Sequence, residues 1–269
     1  MMRGLPDTAL HLPLDQANGL RRLFAGRGRH LLALAANPYV PFGGIVLDRV
    51  AAVLAAEGRQ VLVVDAAASS PAPHDLARVD LAACIEHLAP RVTYLPARGL
   101  PLAYVDTNGS AGSFIDALQQ AAPEAEVVLL HAEGLDLARL LKRRAVRPLL
   151  MGADHPDSIK HAYACCKLLV QRCGLMSYDL LLAASKLSPR AEGIAASLGS
   201  CADGFLGAAL RDWALIDPAG DPAQAPDEAL ARLLGAQLEI HEMPTPPSGA
   251  IGGARPAHAA MHPPRHVFR

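Results

Sequence analysis

HLLALAANPYVPFGGIVLDRVAAVLAAEGRQVLVVD, residues 30–65, is the stretch that decides the fold. His30–Ala36 is a nearly continuous apolar run, the pattern of a strand buried on both faces. Ile45–Ala56 carries apolar residues at helical spacing, and Val61–Asp65 reads as a second buried strand. Strand, turn, helix, strand is how a nucleotide-binding α/β domain begins. In such a domain the turn carries the chemistry. A phosphate loop reads G-x-x-x-x-G-K-[ST], with glycine N–H groups cradling phosphates and the Lys reaching them. This turn is Asn37-Pro38-Tyr39-Val40-Pro41-Phe42-Gly43-Gly44, without Lys, Ser or Thr. Pro38 and Pro41 each lack a backbone donor, and Tyr39 and Phe42 fill space that a nucleotide needs. Gly43 and Gly44, opening the helix, are what remains to meet an anion.

Outward from this unit, apolar runs and helical patterns alternate. Strands are expected at 30–36, 61–65, 92–95, 127–131, 148–152, 179–184 and 213–216. Helices are expected at 45–56, 75–88, 110–121, 135–144, 157–172, 189–199 and 227–238. The alternation predicts an α/β fold with a doubly wound, mostly parallel sheet and right-handed crossovers. Residues 1–14, broken by proline, read as a flexible N-terminus. Residues 15–25 read as a short helix with Asp15 at its N-cap, 30–238 as the α/β domain, and 239–269, rich in Pro, Gly and Ala, as a disordered tail.

The 269 residues are 51% hydrophobic but 4% aromatic, so one large domain with an aliphatic core is expected. A formal net charge of −1 offers nothing to attract nucleic acid. The five cysteines show neither C-x-x-C nor zinc-ligand spacing and read as free thiols, and no metal site is assigned. Met1–Pro13 has Arg3, Asp7 and two prolines where a secretion signal has an apolar core, and no apolar run reaches 18 residues. A cytoplasmic protein with at most peripheral membrane contact is the expectation.

No catalytic residue is assigned. Asp154 and His155 lack a nucleophile nearby in sequence, and neither G-x-S-x-G nor G-x-G-x-x-G occurs. Lys142, Arg143, Arg144 and Arg147 gather at an expected helix end, where basic residues complement the helix dipole. A docking patch for an acidic partner is the sharper alternative.

Three segments carry a family resemblance. Asp15-Gln16-Ala17-Asn18-Gly19-Leu20-Arg21 resembles the D-Q-A-x-x-L-R element of the flagellar-number regulators (FlhG, also called FleN), which are MinD/ParA-type P-loop ATPases. Ala153–Lys167 (ADHPDSIKHAYACCK) is similar to the T-x-E-P-x-S/T strand end and D-A-Y-A-x-x-K helix of MinD-type proteins. Ala202–Gly207, with Leu210 and Trp213, resembles the R-F-L-x-x-x-L-x-Y-L stretch. The resemblance implies a MinD/SIMIBI-like P-loop NTPase fold. It also implies that Asp15, Gln16, Ala17, Leu20 and Arg21 bind and stimulate an FlhF-type GTPase of the signal-recognition kind. Contact with flagellar basal-body or regulatory proteins and recruitment to the cell pole follow from the same resemblance.

ATP and magnesium are expected in that family. Its K-G-G-x-G-K-[ST] loop maps onto Pro38–Gly44, where both lysines are missing, so the resemblance carries over neither hydrolysis nor the cofactor. Of the family's D-x-D element only Asp65 remains. His131 stands where a second metal-organising Asp would follow a strand, and imidazole does not replace a carboxylate around a hard cation. The expectation is a hydrolysis-deficient regulator of flagellar number or placement. The alternatives are a divergent MinD/ParA-type ATPase that still binds ATP through Gly43, Gly44 and Asp65, and a MinD-like scaffold of another polar machine.

Overall fold

The computed structural model describes residues 29–221, 227–240 and 242–243. The helix expected at 15–25, the flexible N-terminus at 1–14 and most of the tail lie outside them.

The opening stretch folds as read. β1 (Arg29–Ala35) leads through a turn into α1 (Gly43–Ala56) and β2 (Val61–Asp65). Then follow β3 (Glu86–Ala89), β4 (Val92–Pro96), α2 (Gly112–Ala121), β5 (Val127–Ala132), α3 (Gly134–Leu140) and β6 (Leu149–Ala153). The remainder is α4 (Pro156–Cys173), β7 (Ser177–Ala183), α5 (Ala191–Leu206), β8 (Ala209–Ile216), α6 (Glu228–Ile240) and β9 (Glu242–Met243). One sheet runs in the order β3-β4-β2-β5-β1-β6-β7-β8, with β9 added beside β1. Its pairs are parallel except β3 with β4 and β9 with β1. The doubly wound sheet expected from the alternation is therefore present.

The strands that read as continuous apolar runs are the central ones, covered on both faces. On one face α2, α3, α4 and α5 pack a core including Leu31, Leu62, Phe114, Leu130, Leu169 and Tyr178. On the other, α1 and α6 pack Leu32, Leu34, Val50, Val63, Leu129, Met151 and Leu233. The ends of the sheet differ: β3 is exposed along its whole length, and β8 is mostly half-buried with Arg211 exposed. The charged residues Glu86 of β3 and Arg211 and Asp212 of β8 discourage pairing of these edges with another chain.

Residues 75–88 correct the sequence reading. The expected helix is replaced by two 3₁₀ turns, 75–78 and 82–84, and by β3. Local side chains compete for the backbone: His74 accepts from Leu76 N, and Asp80 accepts from Ala83 N. The outer edge of β4 is then paired by β3 through a hairpin with Arg91 at φ 66°. The helix expected at 135–144 ends at Leu140, so Lys142–Arg144 form a turn, not a helix end. There Lys142 donates to Asn108 O at 2.6 Å and Arg144 pairs with Asp116 at 2.8 Å. The helix expected at 189–199 runs on to Leu206, where Gly207 caps it at φ 64°. The glycine supplies the left-handed residue that closes a helix C-terminus.

Cys165 and Cys166 are buried in α4, and burial pushes their thiols up to about 12 and about 11. They are packing groups with little thiolate to react. No helix of the described residues is long and apolar enough to cross a membrane.

Candidate functional site

In a doubly wound sheet, ligands bind outside the carboxyl ends of the strands, where the strand order reverses. Here that point is β1, with β5 on one side and β6 on the other.

The turn leaving β1 is pinned by Asn37, which is buried. Its amide Nδ2 donates to Met151 O at 2.8 Å, to Ser158 O at 2.9 Å and towards Ser158 Oγ at 3.1 Å. Its Oδ1 accepts from Tyr39 N at 3.1 Å, and Val40 N returns to Asn37 O. This single side chain therefore ties β1 to β6 and to the first turns of α4. Ser158 is fully buried and also accepts from Ala153 N at 2.8 Å. The cap of α4 is His155, whose Nδ1 accepts from Asp157 N. Pro156 holds the first helical position, where a missing N–H costs nothing.

The turn ends on Phe42, at φ 61° and ψ 36°, 69% exposed. A non-glycine residue in the left-handed region costs about 1 kcal/mol or more. Tyr39 is half exposed and meets the ring of His161 edge-on at 5.9 Å. Gly43 and Gly44 open α1 with no side chain capping them. A Cβ on Gly43 would meet Met151 Sδ at 3.6 Å, while Gly44 faces open space.

Asp65 ends β2 directly opposite His131 of β5 in the sheet register. His131 Nδ1 lies 2.9 Å from Asp65 Oδ1, and both side chains are largely buried. With the carboxylate accepting, the ring proton sits on Nδ1. Asp65 Oδ2 accepts from Tyr94 Oη at 3.4 Å, and Oδ1 also accepts from Ala67 N at 3.3 Å. Burial pushes the Tyr94 phenol up, and the neighbouring Asp65 charge adds to the rise. The opposite ring nitrogen, His131 Nε2, is buried with no hydrogen-bond partner among the described residues. Read from the sequence, His131 has no partner. The fold supplies one, and the signal was that two neighbouring strands end in an acid and an imidazole at matching positions. The sequence does not single out Asn37, because an amide in a turn reads as local turn chemistry.

Next along the carboxyl edge, Asp154 accepts from Ser188 Oγ at 2.9 Å and pairs with Arg190 Nε at 3.1 Å. Lys186 N donates to Asp217, fastening the loops after β7 and β8 together. Gly43, Gly44 and Asp65 thus stand at the same end of the sheet, and Asp65 projects with Val61 and Val63 to the side that carries α1. Asp15, Gln16, Ala17, Leu20 and Arg21 lie outside the described residues. Among the described residues no group of three His, Cys, Asp or Glu side chains could hold a metal.

No family model and no curated protein matches the sequence. Solved structures do match in fold. MinD of Aquifex aeolicus superposes with a TM-score of 0.52 at 14% identity, over 77% of this chain and 97% of its own. A plasmid partition protein of Borrelia burgdorferi B31 bound to AMPPNP gives 0.54 at 10% identity, over 79% and 99%. An ATP complex of a McdA variant from Cyanothece gives 0.51 at 17% identity, over 82% and 100%. Over about four fifths of its length the chain shares the P-loop NTPase fold of these MinD/ParA-type ATPases.

Proposed function

We propose that this chain is a hydrolysis-deficient MinD/ParA-fold regulator of flagellar number or placement, working at the cell pole on an FlhF-type GTPase. The observation that carries this reading is Asp15-Gln16-Ala17-Asn18-Gly19-Leu20-Arg21, placed directly ahead of the first strand of a MinD/ParA-type fold. On a helix, Gln16 and Leu20 share a face and Arg21 lies beside it. Leu20, Leu23 and Phe24 give the apolar strip that a helix lays into a groove. Gln16 and Arg21 then bring polar groups to the partner. The test is a peptide of residues 12–26 added to the GTPase with GTP. Hydrolysis should rise at least several-fold, and Gln16→Ala with Arg21→Ala should remove the rise. No stimulation by either peptide or full chain rejects the reading.

The carboxyl-edge geometry supports the loss of ATP chemistry. The residues present fit a magnesium nucleotide poorly. Residues 37–44 hold no Lys, Ser or Thr, and the Asn37 amide is committed to Met151 and Ser158. Asp65 is committed to His131, Tyr94 and a backbone N–H. A positive charge at the phosphates is what supports phosphoryl transfer, and this turn supplies none. The uncapped start of α1 favours the second reading, a protein that still binds ATP. Mg-ATP separates the two, since a ligand raises the melting temperature only by binding the native state. No shift and no phosphate release are expected. Turnover that Asp65→Asn abolishes overturns this.

A further inference from the structure

Among the described residues, the side of the sheet that carries α1 is incompletely covered. α6 lies over β8 and against α1. Next to α1, towards β2, β4 and β3, a groove of about 460 Å³ remains, lined by Leu47, Ala51, Ala55, Val63, Leu88 and Val92. Ala52 and Asp48 of α1 stand exposed at its mouth. Among the described residues Asp48 has neither a hydrogen bond nor an ion pair, and the only charge acting on it is that of Arg49 beside it in sequence.

The chain itself contains a segment that fits. Residues 1–28 precede Arg29, which starts β1 at the amino-terminal edge of the sheet. His30, Val127, Val61 and Val92 form one row across β1, β5, β2 and β4, and the groove, lined by Pro90 and Val92, reaches that row. Three strand spacings separate Arg29 from it, about 14 Å. Gly26–Gly28 can span ~10 Å, and a helix over 15–25 adds about 16 Å. On that helix Gln16, Ala17, Leu20, Leu23 and Phe24 share one face, with Arg21 on its flank. The tether holds the segment near the groove at an effective concentration around the millimolar range, which a free partner helix does not reach.

We propose that residues 15–25 dock in this groove, with Leu20, Leu23 and Phe24 against Leu47, Ala51, Ala55 and Val92, and Arg21 at Asp48. The face that docks is the face that carries Gln16, Ala17 and Leu20. Docking on the domain and docking on the GTPase therefore exclude one another, and the domain acts as a store for its own activating segment. This regulatory meaning rests on the function proposed above, whereas the docking does not.

Trypsin reads the docking without any GTPase, because it cuts after Arg21 and Arg22. In the native full chain those cuts should be at least tenfold slower than in a free peptide of residues 12–26. Ala52→Arg, at an exposed position, blocks the groove mouth and should bring the rate up to that of the peptide. Asp48→Lys should do the same, and Arg21→Glu should restore protection in the Asp48→Lys chain, read at Arg22. Unchanged circular dichroism melts show that these variants fold. Cuts as fast in the native chain as in the peptide overturn the proposal. So does protection that grows with protein concentration, which assigns the groove to the segment of a second copy. Protection without any stimulation of the GTPase by the free peptide leaves the docking standing and rejects the function.

Discussion

Asp179→Ala is expected to lower the stability of the domain by about 3 to 5 kcal/mol, the cost of removing one member of a buried ion pair. Asp179 sits in β7, fully buried. Its Oδ2 meets Arg147 Nε at 2.9 Å and accepts from Gln237 Nε2 at 2.6 Å, while Oδ1 accepts from Asp212 N at 3.0 Å. One carboxylate thus joins the entry to β6, the start of β8 and helix α6. Truncation to Ala removes the carboxylate from the buried Arg147 and one of the two acceptors of the Gln237 amide, which keeps its bond to Arg147 O at 3.0 Å. Urea unfolding measures the loss, and a change below about 1 kcal/mol would sink the claim.

The same residue sets a pH dependence. Burial pushes the Asp179 carboxyl above its ordinary 3.8, against the opposing pull of Arg147, Gln237 and Asp212 N–H. A folded value above the unfolded one means that its stabilising contribution is complete below the unfolded value. The contribution then fades as pH rises through the folded value. Asp179→Asn keeps an acceptor for Gln237 and cannot ionise. It should cost less than Ala and remove that fall in stability above pH 4.

The second large effect is at Asn37. Asn37→Ala removes the buried amide donor shared by the Met151 and Ser158 carbonyls, which costs about 2 kcal/mol. Asn37→Asp should be worse at neutral pH, about 3 kcal/mol or more, because it aims a carboxylate at those two carbonyls. Acid distinguishes them. The buried Asp takes up a proton at a raised pKa, so its deficit shrinks as pH falls through that value, while the Ala deficit stays constant. An Asp variant as stable as the Ala variant at pH 7 contradicts the donor geometry at this turn.

What could be read from the sequence followed from local pattern. His30–Ala36, Val61–Asp65 and Val127–His131 announce buried strands because their apolar runs admit no polar face. Residues 75–88 mislead because their apolar spacing mimics a helix, while the deciding contact is the bare edge of β4. The Asp65–His131 pair was hidden for a related reason. Two residues 66 apart become neighbours only once β5 lies beside β2. Asn37 is local in sequence, yet its partners Met151 and Ser158 come from the other side of the strand order. Register and crossover are properties of the whole sheet, and single segments do not carry them.

The central place of β1 also has a cost during synthesis. It leaves the ribosome first of the sheet, but its neighbours β5 and β6 lie roughly a hundred residues downstream. At cellular elongation rates that is a wait of roughly 5 to 20 seconds. Throughout it, His30–Ala36 is an apolar strand with two open edges, the kind of segment that pairs with other nascent chains. Slower initiation, lower temperature or a holdase at the tunnel exit should therefore improve soluble yield more than any stabilisation of the finished domain.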